Sequence, residues 1–187
     1  AHPTGGALWQ GATLAVDEAN AAGGLDGKPF RLLARWSENP WGTGIQGVVR
    51  LVYEDEVWAL LGAPDSASSH LVEQVVAKAR VLFVSPVATE NSGHLTNVPW
   101  IFSVAPPDAT IAAALAESMD AAAREARGRG ESPRLVLVSG ADHDSRRLAA
   151  EVLAALKAAS VYPVLHVQIR IDEPEMDRAL RQVAEAD

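Results

Sequence analysis

Two short stretches combine hydroxyls, helix-start amides and strand ends in an arrangement that could hold an anion. The first is LLGAPDSASSH, residues 60–70. A buried strand is expected to end at Gly62 and a helix to begin near Ser66, with Ser66, Ser68 and Ser69 crowding its start. The first amides of a helix lack internal partners and sit at the positive end of its dipole, so they favour a carboxylate. A serine hydroxyl adds one more donor. The plainer role for Asp65 or Ser66 is that of an N-cap. The second stretch is FVSPVATEN, residues 83–91. Ser85-Pro86 stops another apolar strand, and Val87, Ala88 and Thr89 then cross its C-terminal edge, where open parallel sheets bind ligands. The two stretches come from neighbouring layers. Ser66 and Thr89 are therefore expected to converge on one small anion, with a loop carbonyl available to an ammonium group.

Other chemistry is weaker. GTGIQG, residues 42–47, fits the G-x-G-x-x-G pattern of a pyrophosphate-binding loop, and Asp65 follows Gly47 by 18 residues, near the spacing of a ribose-binding acid. A phosphate loop needs its first glycine directly at a strand end. Here Ser37 to Trp41 intervene, and Asn39-Pro40 reads as a helix start that would place all three glycines inside a helix. An NAD(P)-dependent oxidoreductase using Gly42, Gly44, Gly47 and Asp65 stays as the alternative function. Ser66, His70 and Asp65 make a poor triad, because Asp65 and Ser66 are adjacent and no nucleophile elbow frames them. His2, His70, His94, His143 and His166 show no metal-ligand spacing. We assign no catalytic residue, no metal and no cofactor.

The elements that must position these residues alternate. Helices are expected at 6–22, from Asn39-Pro40 to about Asp55, at 66–79, from Asp108 to about Arg127, at 145–159 and at 173–186. Strands are expected at 30–36, 57–61, 81–84, 100–104, 135–138 and 164–171. Leu8, Ala12, Ala15 and Ala19 mark one face of the first helix, and Gly23-Gly24 ends it. Phe30, Leu32, Ala34 and Trp36 alternate with Arg31 and Arg35. Ile111, Leu115 and Ala122 mark the face of the long Ala-rich helix, and Asp144 is the expected cap of the helix from Ser145. Such alternation specifies an α/β fold, a mostly parallel sheet flanked by helices. GRGESP, residues 128–133, is the one linker-like break, which gives lobes of 1–132 and 133–187. The chain opens and closes on helices, and the second lobe has only two strands. We therefore expect a fragment without its first strand and with a partial second lobe.

The 187 residues carry a net charge of −8, which argues against a general nucleic-acid surface, and no apolar run is long enough to span a membrane. There is no cysteine, hence no disulfide or thiolate chemistry.

GATLAVDEANAAGGLDGKPFRLL, VWALLGAPDSASS, VLFVSPVATENSGHLT and WIFSVAPPDA together resemble type I periplasmic binding proteins, above all the branched-chain amino-acid (Leu/Ile/Val) receptors of ABC importers. The resemblance covers residues 5 to about 160. It implies two Rossmann-like lobes, the first nearly whole here, with ligand held in the cleft between them. It implies an exported protein, periplasmic or extracellular, that presents a small amino-acid-like or carboxylate ligand to a membrane permease or receptor. By position, Ser66 and Thr89 would hold the ligand through hydroxyl and amide. The Val87 carbonyl would take the ammonium, and Pro64 and Asp65 would line the wall. The family usually has Asp residues where this chain has Arg35-Trp36, and an aromatic residue where it has Thr4. It also has a Tyr-Gly pair where SGADHDSRR offers His143 and Asp144. Those two become candidates for contact with a ligand other than a branched-chain amino acid.

Overall fold

The structure, a computed structural model, describes residues 3–36, 40–90, 98–170 and 173–184. Asn39, His94 and Ile171 lie outside them, so the expected Asn39 cap and the last residue of the 164–171 strand have no structural counterpart to report. The chain divides into two compact units, Ala1–Ala105 and Pro106–Asp187.

In the first unit, α1 (Pro3–Ala21) ends where Gly23 and Gly24 take positive φ and their amides return to the Asn20 and Ala19 carbonyls. Asn20 then pins the departing chain, with its side chain accepting from Phe30 N at 2.7 Å and donating to Phe30 O at 3.0 Å. A π-helical turn (Pro40–Gly44) leads into α2 (Ile45–Tyr53). Strands β1 (Ala59–Leu61), β2 (Leu82–Ser85) and β3 (Ile101–Ser103) form a parallel sheet in that order, with α3 (Ser66–Ala79) as the β1-to-β2 crossover. The register pairs Leu61 with Val84 and Val84 with Phe102, which brings the C-terminal ends of the strands side by side. Leu51, Val52, Leu60, Val72, Val76 and Phe83 form the core. Three- and four-residue spacing puts Leu71, Val72 and Val76 on one side of α3, facing this core.

Two expectations fail in this unit. Residues 31–36 alternate like a strand but are assigned none, and neither sheet includes them. Alternation specifies which side chains share a face, whereas a strand also needs a partner for its backbone groups. Ala15, expected on the packed face of α1, is exposed, and Val16 is half-buried in its place.

In the second unit, α4 (Asp108–Gly128) and α5 (His143–Ala158) pack on each other, and β4 (Val136–Gly140) pairs in parallel with β5 (Leu165–Ile169) before α6 (Glu173–Ala184). The division between units thus lies ahead of the expected lobe boundary at 132/133, because α4 joins α5. Ala112 and Ala116 of α4 meet Val152 and Leu156 of α5 in the core. The expected face of α4 is one residue out of register: Leu115 and Ala122 are exposed, whereas Ala112 and Ala116 are buried. Close helix packing selects the small side chains and leaves bulkier Leu115 at the rim. The cap of α5 is also a correction. Asp142, not Asp144, precedes the helix and accepts from Ser145 N at 2.9 Å, so the helix starts two residues earlier than expected.

Candidate functional site

Asp65 is the N-cap of α3, and its carboxylate accepts from Ser68 N at 2.7 Å. The plainer of its two expected roles is therefore in place. Ser69, one turn further, is 1 % exposed, and its hydroxyl bonds the Ser85 hydroxyl at 3.0 Å. Ser85 Oγ also accepts from Ala88 N at 3.1 Å, and Ser103 Oγ donates to Ala88 O at 2.7 Å. One continuous network, buried at Ser69 and Ser85 and half-buried at Ser103, thus runs from the start of α3, through the end of β2, to the end of β3. Buried hydroxyls are kept only where they are satisfied, and here each serves to fix the loop after β2 against the helix after β1.

The expected residues sort by that network. Ala88 is buried, with both backbone groups committed, so it anchors the loop. Val87 and Thr89, on either side of it, are half-buried and lie at the surface of the same edge. Ser66 is 2 % exposed, closed to solvent at the helix start. The network serines Ser69, Ser85 and Ser103 have no place in the resemblance-based site. Their signal is a small hydroxyl residue at the end of an apolar run, in FVSP and IFSV, where a strand core would otherwise continue with an aliphatic residue. His143 and Asp144 belong to the second unit. They open α5 three and four residues after the end of β4, as Ser66 opens α3 five residues after the end of β1. His143 is exposed and Asp144 half-buried. Asp142 beside them is held below the usual carboxylate range, first by the Ser145 hydroxyl and then by the Ser145 amide.

A large apolar cavity of the first unit lies elsewhere. About 1380 Å³ in volume, it is walled by α1, residues 29–36, α2 and β1, and it touches Pro64, Asp65 and Ser68 but not Ser66, Val87, Ala88 or Thr89. Its lining is mostly apolar, whereas the serine network is polar and packed. The cavity and the serine network are therefore separate features of the first unit.

GTGIQG does not have the geometry of a phosphate loop. Gly42 and Gly44 lie in the π-helical turn, Gly47 lies inside α2, and no strand leads into them among the described residues. Gly47 has a packing role instead: a Cβ there would meet Arg35 Cβ at 3.3 Å, so glycine lets α2 approach residues 29–36 closely. No His, Asp or Glu cluster suited to a metal ion occurs among the described residues.

A family model described as periplasmic binding protein matches residues 1–187. The chain belongs to that family. Among solved structures it is similar to the branched-chain amino acid transporter substrate binding protein LivJ from Streptococcus pneumoniae in complex with isoleucine. That match has a TM-score of 0.77 at 23% identity and covers 98% of this chain and 50% of the other. A solute binding protein from R. palustris in complex with benzoate matches with a TM-score of 0.79 at 17% identity, covering 98% and 48%. A leucine binding protein from Thermotoga maritima matches with a TM-score of 0.71 at 16% identity, covering 96% and 48%. The chain spans about half the length of these solved structures. No curated protein matches it. The identities bear on fold, and the fold agrees with the α/β reading: parallel sheets flanked by helices, of the type I binding-protein kind.

Proposed function

We propose that the chain is the solute-capturing part of an exported receptor, non-catalytic, that holds a small carboxylate or amino-acid-like ligand for an ABC importer or signalling partner. The observation that carries this reading is the serine network, which holds two β-to-α junctions together at the C-terminal edge of one parallel sheet. Such an edge, with a helix dipole pointing out of it, suits an anion that is bound and not transformed. Val87 and Thr89 make the first contacts because they are half-buried. Ser66, closed to solvent, contributes through its place at the helix start. Asp65 sets the limit on affinity, because its carboxylate already occupies an amide of the helix start. A ligand contact from His143 and Asp144, at the start of α5, is part of the same proposal. So are a periplasmic or extracellular location and the membrane partner. Among the described residues no helix is long and apolar enough to cross a membrane.

Thermal unfolding with branched-chain amino acids, benzoate and other small carboxylates, beside NAD and NADP, tests the reading. A ligand that binds only the folded state raises the melting temperature. Carboxylates are expected to do so and the dinucleotides are not. Stabilisation by NAD alone would replace the receptor reading with the oxidoreductase alternative.

A further inference from the structure

Two β-to-α junctions, one in each unit, are variations on one string: GAPDSAS at residues 62–68 and GADHDS at residues 140–145. In each, a glycine stands at the strand end and an aspartate caps the helix. That aspartate accepts from the serine amide three residues on, at 2.7 Å from Ser68 and 2.9 Å from Ser145. The glycines answer different needs. Gly62 takes φ 146°, a backbone that favours glycine, and a Cβ there would have room, with Leu8 Cδ2 at 3.9 Å. Gly140 is short of space instead. A Cβ there would stand 2.5 Å from Asp142 Oδ2, 2.6 Å from Ser145 Oγ and 2.9 Å from Ser145 Cβ. Two of these atoms end side chains that can turn away. Ser145 Cβ is fixed to the helix backbone, and it moves only if the start of α5 moves.

We propose that Gly140 is a positioning residue for the ligand contact assigned to His143 and Asp144: its missing Cβ lets the start of α5 close over the end of β4, and that closure sets where the two side chains stand. The ligand half of the inference rests on the receptor reading. The geometric half stands on the packing at Gly140. His143 and Asp144 are the two residues enclosed between the cap and its serine. Just ahead of them, Ala141 N donates to Ile169 O at 2.8 Å, so the chain leaves the sheet at a fixed point. Asp142 then clamps the turn from both ends of its own residue. Its carboxylate holds Ser145 N, and its carbonyl accepts from Arg146 N at 3.1 Å. The Ser145 hydroxyl first, and its amide second, hold the Asp142 carboxyl below the usual carboxylate range. A methyl group at position 140 takes the volume that Asp142 Oδ2 and Ser145 Oγ now share, so it opens the cap and turns the enclosed pair with it.

The test compares the 187-residue chain with Gly140→Ala, Ser145→Gly and the double variant. The titration of the Asp142 carboxyl is followed together with the amide resonances of residues 141–146, and isoleucine affinity is measured by calorimetry. Gly140→Ala is expected to raise the Asp142 pKa toward the ordinary range, to move those amides and to weaken isoleucine binding by ~5-fold or more. Ser145→Gly removes the Oγ and Cβ that the new methyl would strike. In that background the same Gly140→Ala change is expected to alter affinity by less than ~2-fold. A general loss of stability would not be relieved by the second deletion. An unmoved Asp142 titration in Gly140→Ala would overturn the geometric half. A moved titration with isoleucine affinity unchanged would overturn the positioning role, and so would an equal loss of affinity in both backgrounds. If the wild-type chain bound neither isoleucine nor benzoate, the receptor reading would fall and the positioning role with it, while the Asp142 titration would still decide the geometric half.

Discussion

The C-terminal ends of the first sheet and its open β1 edge lie a few residues apart and are built on opposite terms. At the ends, Ser69, Ser85 and Ser103 satisfy one another and Ala88 in a packed, polar network. Along the edge, Leu61, Trp58 and Trp36 stand exposed around an apolar hollow. The first region is finished locally: its groups find partners among the residues of two crossovers. The second leaves large apolar side chains exposed among the described residues. A polar junction can therefore be satisfied beside an apolar hollow, because it needs the ends of the strands and not their flanks.

That contrast can be broken at the residue that belongs to both regions. Phe83 is 1 % exposed in the core and also lines the hollow. Phe83→Ala is expected to cost about 3–5 kcal/mol in denaturant unfolding, the largest effect of any single change considered. A cost near zero would mean that the hollow relaxes around the deletion and that the edge is not structured. Ser85→Ala attacks the other region alone. It strands the Ser69 hydroxyl and the Ala88 amide, at an expected cost of about 1–3 kcal/mol, and it is expected to weaken carboxylate binding. Carboxylate binding unchanged from wild type would show that the network does not shape the ligand edge.

Asp65 sharpens the polar side further. Asp65→Ala removes the cap and should cost about 1 kcal/mol. Asp65→Asn keeps the cap geometry and removes the charge, so it should retain most of the stability and bind a carboxylate more tightly by titration calorimetry. The smallest effect is at Asp142, in the second unit. Its carboxyl is held below the usual range in the folded chain, so its contribution is present above the ordinary carboxylate pKa and is lost as pH falls through the lower folded value. Because the residue is exposed, the expected size is about 0.5 kcal/mol, read as the stability difference between wild type and Asp142→Asn at pH 6 and pH 3. A difference that grew toward low pH would contradict the sign.

Much of this was legible in the residues. The span of α3 follows from Ser66 and the spacing of Leu71, Val72 and Val76, and the three strands of the first sheet follow from short apolar runs, two of them stopped by Gly62 and by Ser85-Pro86. The fate of residues 31–36 was not legible, because alternation says nothing of whether a ladder partner is present. The register of α4 was not legible either, since alanine is apolar on every face and only the partner helix decides which is buried. At the site, Asp65 as cap could be read from its position before the helix. The serine network could not, because it depends on residues 69, 85, 88 and 103 meeting in space.

The central claim is that the junctions at Ser66 and at Val87–Thr89 hold a carboxylate. The most direct measurement follows the backbone amide resonances of the chain during titration with isoleucine against isoleucinamide, and with benzoate against benzamide. Each pair differs in the carboxylate and keeps the rest of the ligand. The account predicts that the carboxylates move the Ser66, Val87 and Thr89 amides and that the neutral partners do not. Equal shifts from the amides, or shifts confined to residues 29–36 and 42–47, would contradict it.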